Sequence, residues 1–578
     1  MPDPLEPGVS SPAASRKRAF VGAALAAWFA AALPLGGAGV AEEGAGPSPK
    51  EGAGGPAPGH GGHALGTVDF PVSCSEGARH EFNQAVALLH HMTYPQARQA
   101  FQRTARIDPG CAMAHWGVAM TLFQPLWPTR PGPEDLQRGW EALLKARALE
   151  PPTERERLFL AAAEAFFREP GSSDYWLRIR RWEQAMEKVH AAFPQDREAA
   201  AFYALAHLAI APSDQVSLAH SERAAGLLLA VYEGNPEHPG AMHYLIHAND
   251  APGRESEALE IVRKYETLAP RNPHALHMPT HIYTRRGDWD AVVRGNLRAA
   301  EAALEHPAGE RGELVWDEFP HAIEYLVYAY LQEGADDDAA AEMRRLQGTA
   351  RLEPTFKTAF HLASVPARYA LERRAWGEAA RLAPRPDTPV TLDWDRFPWP
   401  EAITWFARGL GSAREGHAEE ARSAGRRLAE LESTAATAGE DHFARSIRVL
   451  RLAVGAWAAQ AEHDGSSSVA LMREAAELEA STPKHAVTPG PTLPAGELLG
   501  DLLMEQGRPG EALAAYRRSL DLCPRRFNGL LGAARAARAA GEPSVAAAFY
   551  RELLEVAGES SRESPLAEAR GFRERRPR

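Results

Sequence analysis

Cysteine is nearly absent from this 578-residue chain: there are three, at 74, 111 and 523, and none stands in a C-x-x-C spacing. That excludes a thiol redox pair and the usual covalent haem attachment. A basic excess is missing too, since 64 Lys and Arg face 76 Asp and Glu for a formal net charge of -12. Broad phosphate neutralisation needs the opposite balance, so nucleic acid is not an expected partner. No G-x-x-x-x-G-K-[ST] loop, H-E-x-x-H helix or G-x-S-x-G elbow occurs, and no other pattern sets a nucleophile beside a base. Long Val-, Ile- and Thr-rich runs are scarce, which removes the ordinary signature of a sheet.

Ala, Leu, Glu and Arg dominate instead, the residues that lose least on entering a helix. The chain is too long for one ordinary core, and its composition favours a helical repeat array, whose stability grows by stacking. The fold class expected is all-α.

Arg16, Lys17 and Arg18 precede an apolar run from Ala19 to Leu35 and small residues from Gly36 to Ala41. That is the order of a secretory signal. An uncleaved anchor is the alternative, for which the run is short. Either way the body is expected outside the cytoplasm, periplasmic or extracellular, and touches a membrane only if the segment is retained. An oxidising compartment permits a Cys74–Cys111 disulfide. Residues 42–69 are rich in Gly, Pro and Ala and read as a flexible linker; His60 and His63 within it read as incidental. Residues 556–578, with Arg570, Arg573, Arg575, Arg576 and Arg578, read as a solvated charged tail.

Self-similarity organises the rest. Gly507, Ala512 and Tyr516 recur as Gly541, Ala546 and Tyr550, and Gly253 recurs as Gly287, always at the same interval of 34. A period of 34 is that of a tetratricopeptide helical hairpin. Gly permits the turn, the small Ala lets two helices approach, and the aromatic fills the space beneath the next repeat. On these residues the chain resembles the tetratricopeptide family, which implies a right-handed α-solenoid, degenerate over 70–420 and more regular over 421–555. The strings FNQAVALLHHMTYPQARQAF, DPGCAMAHWGVAM, HPGAMHYLIHAND, NPHALHMPTHIYTRRGDWD and HAIEYLVYAYLQ are further similar to a group of large exported bacterial tetratricopeptide proteins. That resemblance implies a fold and no activity.

The histidines give the repeat a chemical content. His243 and His247 lie four apart, one period further on stand His277 and His281, and His274 lies three before His277. Residues three, four and seven apart share a helix face. In the family resembled, the first helix of each hairpin lines a concave groove, so these imidazoles are expected there. His321, Glu324 and Tyr328 would continue the lining on the next repeat, and Tyr203 and His207 on the preceding one. Two readings stay open. In one, the groove binds a protein, peptide or small ligand. In the other, His243, His247, His277 and His281 hold zinc, copper or another transition metal, since neutral imidazole is a common ligand. His274 and His321 would be reserves, and Glu324 a ligand, an orienting acceptor or a base. Catalysis enters only if an open metal position activates water; no catalytic residue is assigned.

Three further features stand out. His90, His91, Met92, Tyr94, Cys111, Met113 and His115 are open to a soft-ligand reading and to a packing one. Pro279 interrupts HALHMPTH, where it kinks the helix or punctuates it. The four prolines of Thr121–Leu136 exclude a continuous helix, leaving a rigid loop or a lid with Trp127 and Arg130 as contacts; Trp394–Phe406 is a second interruption, read as packing.

Overall fold

The computed structural model describes residues 65–574 apart from 128, 172–173, 214–216, 310, 387 and 559. The signal or anchor segment, most of the linker with His60 and His63, Pro128, and Arg575, Arg576 and Arg578 lie outside the described residues. The described residues form one compact body.

That body is all-α, built of helices packed in consecutive pairs. Among the described residues extended pairing is limited to isolated bridges at Ala308–Leu314 and Val315–Leu352, and no helix is long and apolar enough to cross a membrane. The last hairpins show how sequence makes the pair. Gly507 and Gly541 take left-handed φ of 70° and 78° to turn the chain, and Pro509 and Pro543 open the following helices, where a missing N–H costs nothing. Ala512 and Ala546 are wholly buried. The Tyr516 ring occupies space that two glycines leave: a Cβ at Gly532 would stand 2.4 Å from it and one at Gly500 2.6 Å.

The helices that matter for the site are α1 (Glu76–His90), α2 (Pro239–Asn249), α3 (Pro273–His277), α4 (Pro279–Arg286), α5 (Trp289–Glu305), α6 (Glu318–Glu333) and α7 (Phe356–Glu372). Pro279 divides α3 from α4; Met278 between them keeps helical angles, φ -53° and ψ -41°, so the chain continues in nearly the same path with one backbone hydrogen bond lost.

Contacts reach well beyond neighbouring repeats. Trp289 Nε1 donates to the Arg525 carbonyl at 2.8 Å, Arg526 Nη1 donates to the Tyr328 hydroxyl at 2.9 Å, and Arg130 pairs with Glu440 at 3.1 Å. In an open solenoid each repeat touches only the next; here C-terminal hairpins lie against the middle of the chain. The expected solvated tail is corrected as well: Glu563–Glu574 is a helix. Leu566 and Ala569 are buried and Phe572 packs on Tyr550 at 5.1 Å, because apolar residues recur every third position through this charged stretch.

Cys74 and Cys111 form a disulfide between the start of the first hairpin and the start of the next helix, and Cys523 is free.

Candidate metal centre

The central histidines do not line an open groove. His243, His274, His277, His281 and His321 are each at most 3% exposed, and Glu324 and Tyr328 are equally buried. The residues of α2 to α7 that would have faced a groove face the chain's own 482–494 segment instead. Tyr325 Oη donates to the Thr488 carbonyl at 3.3 Å, and Arg368 donates to the carbonyls of Pro491 and Gly490 at 2.7 and 3.0 Å. Lys484 Nζ lies 2.8 Å from Asp250.

Two sets of three imidazoles form in this interior: His243, His247 and His274, and His277, His281 and His321. One nitrogen of each residue lies within 4.8 Å of the others in its set. The hydrogen bonds on the opposite ring nitrogens decide what those inner nitrogens carry. In the first set His243 Nδ1 is 2.6 Å from the His90 carbonyl and His274 Nδ1 is 2.9 Å from Glu318 Oε2. Carbonyls and ionised carboxylates only accept, so both Nδ1 atoms carry the hydrogen, and Nε2 is bare whenever its ring is neutral. These two Nε2 atoms face each other at 3.1 Å, and His247 Nε2 also lies 3.1 Å from His243 Nε2.

The second set repeats the pattern. Asn296 Nδ2 donates to the Val292 carbonyl at 2.8 Å, which turns its oxygen toward His277 Nδ1 at 2.7 Å. His281 Nδ1 donates to Asp250 Oδ2 at 2.8 Å, and the Nε2 atoms of His277 and His281 stand 3.0 Å apart. For His321 the assignment runs through a relay. Glu324 accepts from His361 Nδ1 at 2.5 Å, and His361 Nε2 lies 3.1 Å from His321 Nδ1; where His361 is neutral its Nε2 accepts from His321, which leaves His321 Nε2 bare. Arg368 holds the other Glu324 oxygen at 3.1 Å.

Ring nitrogens 3.0 and 3.1 Å apart are held together by a proton on one of them or by a metal ion. Burial opposes a proton on His243, His277 and His281. It lowers His243, with His274 and His247 adding to the effect, lowers His277, with His281 adding, and brings His281 down to about 4. The alternative is a metal ion. Imidazole nitrogens bound at about 2.0–2.1 Å in right-angled to tetrahedral arrangements stand ~2.9–3.4 Å apart, a range that contains the 3.0 and 3.1 Å pairs; the remaining pairs in each set lie within 4.8 Å. The carboxylates behind the rings are ionised. Burial alone would raise Glu318, yet Lys357 and His274 hold it well below the usual range, and Lys484 and Arg285 do the same for Asp250. Acceptors placed behind imidazoles orient them and raise their basicity.

A small cavity of about 20 Å³ lies between the sets, walled by His247, His274, His281 and His321 with Met92, Trp127, Ala486 and Val487 among the rest. A site of that size holds one water-sized species. Trp127 packs at 5.3 Å on His274 with Lys357 Nζ 3.3 Å above its ring. Met92, wholly buried, holds a left-handed φ of 54°, strain of the kind that gathers at functional sites.

A third buried set, His90, Glu198 and His238, differs in kind. His90 Nε2 donates to Glu198 at 2.8 Å while His90 Nδ1 accepts from Tyr244 Oη at 3.1 Å, and His238 Nδ1 accepts the Ala241 N–H at 3.1 Å. Each ring therefore turns its N–H toward the carboxylate, at 2.8 Å from His90 and 3.3 Å from His238, and the Nδ1 atoms are occupied as acceptors.

The expected groove residues separate accordingly. His207 sits apart, 2.9 Å from His220 and with its ring 4.6 Å from that of Tyr203. Tyr328 belongs to a buried Arg526 cluster, and it is Tyr325 that meets the site, its ring 4.6 Å from His277. Glu324 acts from behind His361. The soft-ligand grouping of the first hairpin is not assembled, because Cys111 is in the disulfide and His90 and His91 are spent on other partners; only Met92 reaches the cavity. Arg130 stacks on Tyr175 at 3.9 Å and does not face the site. His361, Asp250, Asn296 and Glu318 escape sequence reasoning. Lys357, His361, Ser364 and Arg368 do form a polar stripe at three- and four-residue spacing on apolar α7, and that stripe is the available signal.

No family model and no curated protein matches the chain. Among solved structures, the crystal structure of the APC/C hetero-tetramer Cut9–Hcn1 aligns with 14% identity over 86% of this chain and 90% of that one, at a TM-score of 0.28. The superposition is loose, and the all-α description rests on the helices themselves.

Proposed function

We propose that this protein is a helical-hairpin scaffold that binds transition-metal ions through two three-histidine sites. One observation carries the reading: in each set two Nε2 atoms face each other, at 3.1 Å in the first and 3.0 Å in the second, while the opposing Nδ1 atoms are committed to acceptors. Zinc and copper suit such imidazole donors. The test is elemental analysis of the protein purified without tag or chelator, beside the variant carrying both His243→Ala and His277→Ala. Near-stoichiometric metal that disappears in the variant supports the reading. Folded protein that stays metal-free after exposure to zinc and copper ends it.

The basic, apolar and small-residue order of the segment ending at Ala41, together with the Cys74–Cys111 disulfide, supports a location outside the cytoplasm. Cell fractionation with N-terminal sequencing checks it: a mature chain starting near Glu42 agrees, and cytoplasmic protein beginning at Met1 does not.

A partner-binding role has its own surface. An open cleft of about 670 Å³ lies between α4 to α6 and the C-terminal hairpins, with Asp288, Asp290, Glu333, Asp338 and Glu555 outnumbering Arg294 and Arg525. A basic peptide fits that charge. Binding there would be independent of the histidine pair above, so a double variant that loses metal but keeps peptide affinity separates the two activities.

A further inference from the structure

The two histidine sets are neighbours around one space. Each contributes two imidazoles to the walls of the same 20 Å³ cavity, His247 and His274 from the first and His281 and His321 from the second. Rings meet across the boundary as well: His247 lies 5.7 Å from His281 and His274 lies 6.1 Å from His277, centroid to centroid. Ions bound to the two sets therefore flank a single chamber with room for one water-sized ligand.

Charge decides what must occupy that chamber. All six ligands are neutral imidazoles, so two divalent ions would bring four positive charges into a buried region. The nearest carboxylates do not cancel them. Glu318 is already paired with Lys357, Asp250 with Arg285 and Lys484, and Glu324 with Arg368. An anion between the ions relieves their repulsion, and water held by two cations loses a proton readily. Met92 lines the same wall, and a methionine beside imidazole donors favours copper over zinc.

Resting on the metal-binding reading above, we infer that the two sets form one dinuclear copper centre in which a hydroxide in the shared cavity bridges the ions. Its formation is balanced: one water binds both Cu(II) ions and releases one proton to solvent, with no change in oxidation state. The carboxylate-backed imidazoles hold the ions, with Trp127 and Val487 in the wall of the chamber.

The experiment is Cu(II) titration of the full chain after chelator dialysis, with bound copper counted by elemental analysis and unpaired spins counted by electron paramagnetic resonance. The inference expects two copper ions per chain and an integrated spin count near zero, because a hydroxide bridge couples the two spins. His277→Ala should then bind one copper and show one full spin. Two ions with two full spins would overturn the bridge and leave two independent sites, and one ion with one spin would overturn the pairing. No bound copper would instead remove the metal-binding reading itself. The wild-type spin count is decisive even if the variant does not fold.

Discussion

Asn296 offers a way to disturb the metal sites without touching a ligand. Its amide oxygen accepts from His277 Nδ1 at 2.7 Å, and that bond keeps His277 Nε2 bare. Asn296→Leu preserves most of the volume but leaves Nδ1–H without an acceptor, so His277 moves its hydrogen to Nε2. Metal must then displace that proton. Losing an acceptor behind a metal-bound histidine costs about 10–100-fold in affinity, or roughly 1.4–2.7 kcal/mol at 25 °C. The metal-free protein should respond differently. With hydrogen on Nε2, His277 can donate to His281 Nε2 3.0 Å away, relieving the contact between lone pairs. The variant's remaining loss is the Asn296 bond to the Val292 carbonyl, about 0.5–1.5 kcal/mol. Competition against a chromophoric chelator measures the first effect, and urea unfolding of the metal-free forms measures the second. Unchanged metal affinity, or a metal-free fold weakened by more than the binding, would refute the reasoning.

Acid should weaken the metal-free fold through the same imidazoles. Unfolded histidine protonates near 6.5 and buried His281 only near about 4, so between those values the unfolded chain binds more protons and stability falls as pH falls, by up to about 1.4 kcal/mol per pH unit for each such histidine. Urea midpoints at pH 7.5 and 5.5 test this, and equal midpoints would contradict it. Removing the disulfide by Cys74→Ser with Cys111→Ser opens a loop with a sequence separation of 37, which should cost about 3–4 kcal/mol on chain entropy; reductant should destabilise the wild type and leave the variant alone. Gly532→Ala drives a Cβ to 2.4 Å from the Tyr516 ring, an overpacking that should cost about 1–3 kcal/mol and be read as lowered thermal stability with metal content unchanged.

Tyr325 and Tyr328 show where sequence reasoning stops. Both stand at helical spacing from His321, and pattern alone favours neither. The rotation of α6 places Tyr325 against His277 and sends Tyr328 to Arg526, and that rotation depends on how successive hairpins stack. His361 illustrates the same limit. Its distance from His321 does not match the repeat period, because after the helix Asp336–Gly348 the chain runs through residues 349–355, bridged to Val315 at Leu352, before α7 begins. Its part in holding His321 appears only when α6 and α7 are packed together.

The amino-acid sequence by itself determined what depends on local spacing. Helix-forming composition, glycine turns at a fixed period and the i, i+4 histidines of α2 and α3–α4 are properties of chain segments shorter than two hairpins, so they are legible without a fold. The tertiary structure alone decided what those histidines face. The rule that repeats touch only their neighbours predicts an open groove; the chain instead brings Lys484, Val487 and Thr488 onto α2, α4 and α6 from several hairpins further along. Closing that distance buries the imidazoles and turns a stripe on two helices into two sets of ring nitrogens beside a common space.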